Sequence, residues 1–593
     1  MNNINCENFN ELDNNEVLIA IKQLRREVLK YYNDTTKSLL CHDKQIAELV
    51  NTIKNNLSNE LRSLLDSMLE SGEIESIIKQ TLFANVPLSV KDFGCVGDGI
   101  HDDTPNFQEA INYALKNKVG RLIVPNGTYL ITRTLEVTQE DRLFNLEIKG
   151  YGSPHIKPSL TGFHGDYLFK VTSNIEDNNQ NKMKRYLTIK DIVFGSNDDF
   201  EFADCTGVYI EQQQFLNLDN VRIRGFKRSG LILNDIFDSM CHNVRILNCG
   251  DVLNEDSTKE DYALVLQGQM DNVNATKFYG LQIERCPLLM FIKKATRHNQ
   301  FTDCKFEQNA DNYTSKPPIY ISGESGENTF TNCQFVKNSR GGNNDNQYFI
   351  ESTPATSYSV SAQLSVLLNG CMFTCSSKAL GTGHWINLDN ATIVNNHFNQ
   401  CGGNANNMYA IKLQSNNIFK GNKVYITSYN ANTFNVEGNN NLIQDNFINY
   451  MAGENIDAGV FLKMNANYER NIIEGNNIKG NPKDPYSIPS DYFDKTILRN
   501  NVGYEKTIIN NVIGEPILLY GSDVLVIDHS PVNTIYKFKF GYNGQRLKVY
   551  FKQAGHGINH NPDYIYMKNE SGYTVKANEV IEFLNIDGVW YQI

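Results

Sequence analysis

Two glutamates set the chemical question. Glu284 and Glu307 close the short segments "GLQIE" and "DCKFE", which lie 23 residues apart and share one pattern of turn residue, apolar residue, polar residue and apolar anchor. If those segments lie side by side as neighbouring strands, the two carboxylates stand roughly 5 Å apart. That is the spacing of nucleophile and acid in retaining glycoside cleavage, whereas inverting pairs are wider, at about 6.5–9.5 Å. Arg222, Arg245 and Lys305 occupy the position before the anchor in the same kind of segment, and Arg285 follows Glu284. Such a row of cations suits an anionic polymer, although the same residues also describe an ordinary solvated face. A second carboxylate set, Asp251, Glu255, Asp256, Glu260 and Asp261, falls in the insert "CGDVLNEDSTKEDY" just ahead of the Glu284 segment. Asp256 and Glu260 are the members of that set taken as candidate catalytic groups, because long inserts on a repeat scaffold line grooves.

What positions these residues is an internal repeat. "NLDNVRI" ending at Ile223, "MCHNVRI" at Ile246 and "KFYGLQI" at Ile283 open a series that continues through "QFTDCKF" at Phe306, "TFTNCQF" at Phe335 and "TIVNNHF" at Phe398. It runs on to Val424, Ile448, Ile478 and Ile513, and "LTIKDIVF" at Phe194 begins it, with anchors 23 to 38 residues apart. Units built from two short β-branched strands around one turn residue are too short for helical repeats and predict stacked coils of a parallel β-helix. The turn position three before the anchor holds Asn, Asp or Gly in unit after unit, the residue types that accept a left-handed backbone. Two before the anchor, Cys304, Cys333 and Cys371 recur on consecutive units, which predicts a buried stack of thiols rather than a metal site.

The stretch "VKDFGCVGDGIHDDTPNFQEAINYAL", residues 90–115, followed by "RLIVPNGTYLI", has a structural reading first. A β-helix exposes the backbone edge and apolar interior of its first coil, and these need a cover. Thr104 as N-cap, Pro105 at the first helical position and a stripe of Phe107, Ile111, Ala114 and Leu115 predict an amphipathic helix suited to that role. Asp98, Asp102 and Asp103 are then capping and turn residues rather than metal ligands.

The chain divides into three regions. Residues 1–85 carry apolar residues at near-heptad spacing, including Ile46, Val50, Ile53, Leu57, Leu61 and Leu64, and predict a helical bundle that self-associates. Residues 86–514 hold the repeats. Residues 515–593 read as strands separated by "GYNG", "NESG" and "IDG", which predicts an antiparallel β-sandwich.

Bulk properties exclude several classes. At 593 residues, with 55 Lys+Arg against 67 Asp+Glu and a formal charge of −12, the chain is a poor general nucleic-acid binder. No run is long and apolar enough to span a bilayer. The opening "MNNINCENFNELDNN" lacks the basic and apolar regions of a secretory signal. No zinc spacing, phosphate-binding glycine loop or nucleophilic serine elbow is present, so neither cofactor nor metal is expected.

The motif at residues 90–131 and the repeats after it resemble the pectate-lyase-like right-handed parallel β-helix superfamily, and within it bacteriophage tailspikes and tail appendage proteins. The resemblance spans residues 86–514. It implies a homotrimer attached to the virion tail through its N-terminal region, made in a host cytoplasm, whose β-helix binds and often degrades a surface glycopolymer such as teichoic acid, capsule or exopolysaccharide. A receptor-binding spike without chemistry and a bacterial polysaccharide lyase are the alternatives. Catalytic positions vary too widely among such spikes to be carried over.

Overall fold

The computed structural model describes residues 87–139, 144–173, 186–196, 201–250, 261–308, 316–338, 348–354, 365–375, 383–401, 409–427, 432–451, 460–466, 468–479, 484–487, 496–501, 517–519, 523–527, 534–539 and 541–593. The expected N-terminal helical bundle, the insert residues 251–260 and the expected anchor at Ile513 lie outside these.

The anchors form one internal column. Strand pairing is parallel and in register from Phe194 to Ile223, Ile246, Ile283, Phe306, Phe335, Phe373, Phe398, Val424, Ile448 and Ile478. Each coil contributes one strand to each of three long sheets. Sheet one starts at Leu88–Ser89 and ends at Thr496–Arg499, and sheet two runs from Asp98–Asp102 to Asn477–Lys479. Sheet three runs from Arg133–Gln139 to Asp484–Ser487. This is a parallel β-helix.

The turn from sheet one to sheet two fixes the register. It is only two residues long in most coils, and its first residue is left-handed at each predicted position, including Asn220 (φ 54°), Asp303 (φ 55°) and Gly421 (φ 65°). The second turn residue points inward. In the C-terminal coils it is asparagine, and Asn396, Asn422, Asn446 and Asn476 stack into a ladder. Asn422 Oδ1 accepts from the Asn396 backbone N–H at 2.8 Å, while Asn422 Nδ2 donates to the Ile393 carbonyl at 2.9 Å. The ladder thus satisfies backbone groups that a sharp buried turn would otherwise leave unpaired. A second ladder, Asn417, Asn441 and Asn471, does the same at the entrance to sheet one.

In the preceding coils the inward turn position is cysteine. Cys304, Cys333 and Cys371 are buried free thiols, and each donates to a carbonyl of the previous coil. The hydrogen bond with Cys333, and then burial, hold the Cys371 thiol far above its usual range. A thiol so held is a packing element, since the thiolate is the reactive form.

Repetition of the same residue on successive coils turns the core into aromatic stacks. Phe306, Phe335, Phe373 and Phe398 follow one another with ring centroids 5.3, 4.6 and 4.4 Å apart. Phe278, Phe301 and Phe330 form a second stack at 4.6 Å steps. Each such contact contributes about 0.5–1.5 kcal/mol beyond its area burial.

The first coil is covered by a helix, Thr104–Lys116, whose Phe107, Ala110, Ile111 and Ala114 are buried in the core of the β-helix. Its N-cap is Asp103 rather than Thr104, which corrects the sequence expectation. Thr104 instead spends its hydroxyl on the first coil, accepting from the Thr132 N–H at 2.7 Å. The three aspartates hold backbone. Asp103 accepts from the Val96 and Gly97 N–H groups, Asp98 from Ile100 and His101, and Asp102 from Thr104.

The C-terminal region has its own buried cluster, including Leu525, Phe538, Leu547, Phe551, Phe583 and Trp590. Its main sheet is mixed rather than antiparallel throughout. Arg546–Phe551, Glu579–Ile586 and Val589–Gln592 pair antiparallel, but Val524–Ile527 and Ile565–Tyr566 join the two ends in parallel. Turn chemistry located the hairpin at "IDG" but carries no information on how the outer strands pair.

Candidate functional site

Glu284 and Glu307 are register partners on the outward face of sheet two. Lys305 bridges them, its Nζ 3.0 Å from Glu284 Oε1 and 2.5 Å from Glu307 Oε2. Those two oxygens can be no further apart than the two distances together, which excludes the inverting range of about 6.5–9.5 Å for this pair of atoms. The ammonium, however, fills the gap in which a glycosidic bond would have to sit. Burial pulls the Lys305 pKa down, and its bonds to Glu307 and Glu284 more than reverse this, leaving it raised. Asn338 also donates to Glu307, at 2.5 Å.

The cations fall in line on this face. Arg222 pairs in register with Arg245, Arg245 with Gln282, and Gln282 with Lys305. The Nε of Arg245 is buried with no acceptor among the described residues. Burial, and then the Arg224 and Arg222 charges, push His155 at the head of the row below its ordinary pKa, against a hydrogen bond with Gly195 that raises it. Arg285 is different: it is exposed and left-handed (φ 56°), at the irregularity that ends the strand pairing. Asp256 and Glu260 lie outside the described residues, as do Asp251 and Glu255. Asp261 is described and follows that insert directly.

A richer surface lies on sheet three, which the sequence reading did not single out. Long connections enter and leave the strands of this sheet. Residues 250–263, 309–318, 338–349 and 376–385 lead into it from sheet two, and residues 174–185 and 353–365 lead out toward sheet one. The central outward row of sheet three reads Tyr209, Ile232, Val265, Phe291, Tyr320, Glu351, Asn387, Lys412, Asn435 and Lys463, strand over strand.

Aromatic and charged groups sort along that row. Tyr262, Phe291 and Tyr320 pack ring to ring at 5.2 and 5.1 Å, in a cluster separate from the interior core. Lys293 Nζ lies 5.2 Å from the Phe291 ring centre. The next strands bring carboxylates. Glu351 is the register partner of Tyr320, and Asp389 follows directly on the end of the next strand, Ile386–Leu388. Lys412 pairs with Glu437 at 2.7 Å, and Glu437 also accepts from Asn435 Nδ2 at 2.7 Å. Burial raises the Asp389 pKa, opposed by its hydrogen bond from the Ser415 N–H at 3.0 Å.

The signal for this face was present but diffuse. Its strands, such as "IYI", "IES" and "YAIKL", are short and alternate around apolar residues, yet connections of changing length separate them from the anchors. No groups of three or more His, Cys, Asp and Glu that could hold a metal ion occur among the described residues.

These features define a parallel β-helix protein with an aromatic and carboxylate-lined outer face. Residues 88–280 match the family described as rhamnogalacturonase A/epimerase, pectate lyase-like. The chain is 25% identical over 521 residues to depolymerase 1, capsule KN3-specific, of Klebsiella phage KN3-1, an alignment spanning 84% of this chain and 62% of that protein. It is 41% identical over 75 residues to the plasmin and fibronectin-binding protein A of Streptococcus pneumoniae, 12% of this chain and 10% of that protein. The chain thus spans less than two thirds of the length of either relative. Among solved structures, tailspike protein 3 of bacteriophage CBA120 superposes with a TM-score of 0.40 at 12% identity, covering 90% of this chain and 76% of that one.

Proposed function

We propose that this protein is a phage tailspike or tail appendage that binds a host surface glycopolymer and hydrolyses it during adsorption. The observation that carries this reading is the outward row of sheet three, where half-buried aromatic rings run directly into carboxylates. Sugar rings offer C–H faces to aromatic rings and hydroxyls to carboxylates and amides, so that sequence of groups suits an extended polysaccharide. The alignment with a capsule depolymerase over most of this chain supports the same class. The cationic row of Arg222, Arg245 and Lys305 on sheet two suits a polymer bearing uronate or phosphate. In this reading Glu284 and Glu307 hold Lys305 in line with that row. The protein acts as a homotrimer on the virion tail, with residues 1–85 as its attachment and trimerisation segment.

The test uses the full-length protein with KN3 capsular polysaccharide, wall teichoic acid and an anionic exopolysaccharide. Hydrolysis releases new reducing ends without the ultraviolet absorbance of an unsaturated sugar, whereas a lyase produces that absorbance. Release of no fragments from any of the three rules out the hydrolase. The binding-only reading is favoured by one specific feature, the ammonium that occupies the space between Glu284 and Glu307. It predicts retention of the polymer on immobilised protein with no fragments. A solution mass near three times 67.3 kDa supports the trimer, and a monomer excludes it.

A further inference from the structure

We infer that the hydrolytic centre lies on sheet three rather than sheet two, with Asp389 as the acid, Glu351 as the base and Tyr320 as the platform for the adjoining sugar, so that cleavage inverts the anomeric carbon. This rests on the hydrolase reading above and adds to it the residues and the stereochemistry.

Register supplies the spacing. Glu351 pairs with Asn387, and Asp389 is two residues beyond Asn387, in the bend that ends the strand Ile386–Leu388. One inter-strand step of about 4.8 Å and at most two extended residue steps of about 3.3 Å place the two backbones within roughly 8 Å of each other. Side chains reaching out from that spacing can span the inverting separation of about 6.5–9.5 Å, which leaves room for a water molecule.

The surroundings divide the roles. Glu351 makes no hydrogen bond or ion pair among the described residues, so its carboxylate is available to a water molecule. Glu437 is committed to Lys412 and Asn435. Asp389 is half-buried, and burial holds its carboxyl above the ordinary value, as an acid needs near neutrality. Its Ser415 bond engages only one oxygen, Oδ1.

An independent observation points to a ligand here. Asn435, 5% exposed and two strands beyond Asn387 in the same row, has a buried Oδ1 with no hydrogen-bond donor among the described residues. A buried amide oxygen left unpaired is destabilising, and a sugar hydroxyl is a donor of the right polarity.

The step balances with water as the only co-reactant. Protonated Asp389 gives its proton to the glycosidic oxygen as the bond from the anomeric carbon to that oxygen breaks, the electron pair leaving with the oxygen. A water molecule, its proton taken by Glu351, adds to the anomeric carbon from the opposite side. The products are a free alcohol and a hemiacetal of inverted configuration, and both carboxyls return to their starting states by proton exchange with solvent.

The test compares full-length wild type, Glu351→Gln, Asp389→Asn and Tyr320→Ala on whichever of the three polymers above the wild type cleaves. Asparagine keeps the acceptor for Ser415, so Asp389→Asn retains the fold. Glu351→Gln and Asp389→Asn each lose about 10²–10⁴-fold in kcat with polymer binding within threefold of wild type. Tyr320→Ala raises KM more than it lowers kcat. Proton NMR of the first product shows the inverted anomer. A retained anomer, or Glu351→Gln and Asp389→Asn variants that melt like wild type and cleave within tenfold of it, overturns this assignment and leaves the hydrolase standing. A wild type that cleaves none of the three polymers removes both.

Discussion

Tyr320 and Glu351 are register partners on the outward face of sheet three, so an aromatic ring and a carboxylate stand one strand apart along the same row. The strands before Tyr320 carry Phe291 and Val265, and those after Glu351 carry Asn387 and Lys412. The row therefore changes from apolar to charged at a single step, where the binding and chemical parts of the proposed site meet.

The bridge on sheet two has a measurable energetic role. Lys305→Met leaves two glutamates adjacent with no cation between them. All three side chains are partly exposed, so the expected loss is modest, about 0.5–1 kcal/mol in urea denaturation. Adding Glu284→Gln and Glu307→Gln to Lys305→Met should recover most of it. Failure to recover shows that Lys305 contributes by packing rather than charge.

Asp389 should leave a signature in stability. Its folded pKa lies above the unfolded carboxyl value, through burial, so the group favours the folded state fully below that unfolded value and loses this as pH rises through the folded pKa. Asp389→Asn stays neutral. It should therefore gain on wild type in melting temperature as pH rises from about 3 to about 7. A difference that stays constant with pH excludes the burial effect.

The asparagine ladder predicts a large cost for a small change. Asn422→Ala removes the acceptor for the buried Asn396 N–H and the donor to the Ile393 carbonyl. At about 1–3 kcal/mol for each stranded buried group, chemical denaturation should show a loss of several kcal/mol. A loss below about 0.5 kcal/mol means that water enters and replaces the side chain.

Phe335 lies between Phe306 and Phe373 in one aromatic stack, and its ring also meets Phe330 and Phe349. Phe335→Ala should cost about 3–5 kcal/mol. Phe335→Leu, which keeps most of the volume, should cost clearly less. Equal costs for the two substitutions point to ring stacking, rather than volume, as the stabilising element.

Ile223, Ile246, Phe306 and Phe335 could be aligned from the sequence because a two-residue turn and a strand of fixed length separate each from a left-handed Asn, Asp or Gly. Rigid local geometry gives a constant offset, and a constant offset survives in the linear sequence. The pairing of Glu284 with Glu307 was legible for the same reason. The helix that covers the first coil was legible too, through its proline and apolar stripe, although its N-cap fell one residue early, with the Thr104 hydroxyl used by Thr132 in the bend between two strands.

Tertiary structure alone decided the rest. It placed Lys305 between the two glutamates, since side-chain reach across a sheet is not a property of spacing. It also assembled Tyr320, Glu351, Asp389 and Asn435 on one face, although connections of different lengths separate their strands. Loop closure costs little more for a long connection than for a short one, so these lengths drift and erase the period on that side of the coil. Backbone pairing then restores the alignment in space, because each strand of sheet three must meet the hydrogen bonds of the strand beneath it.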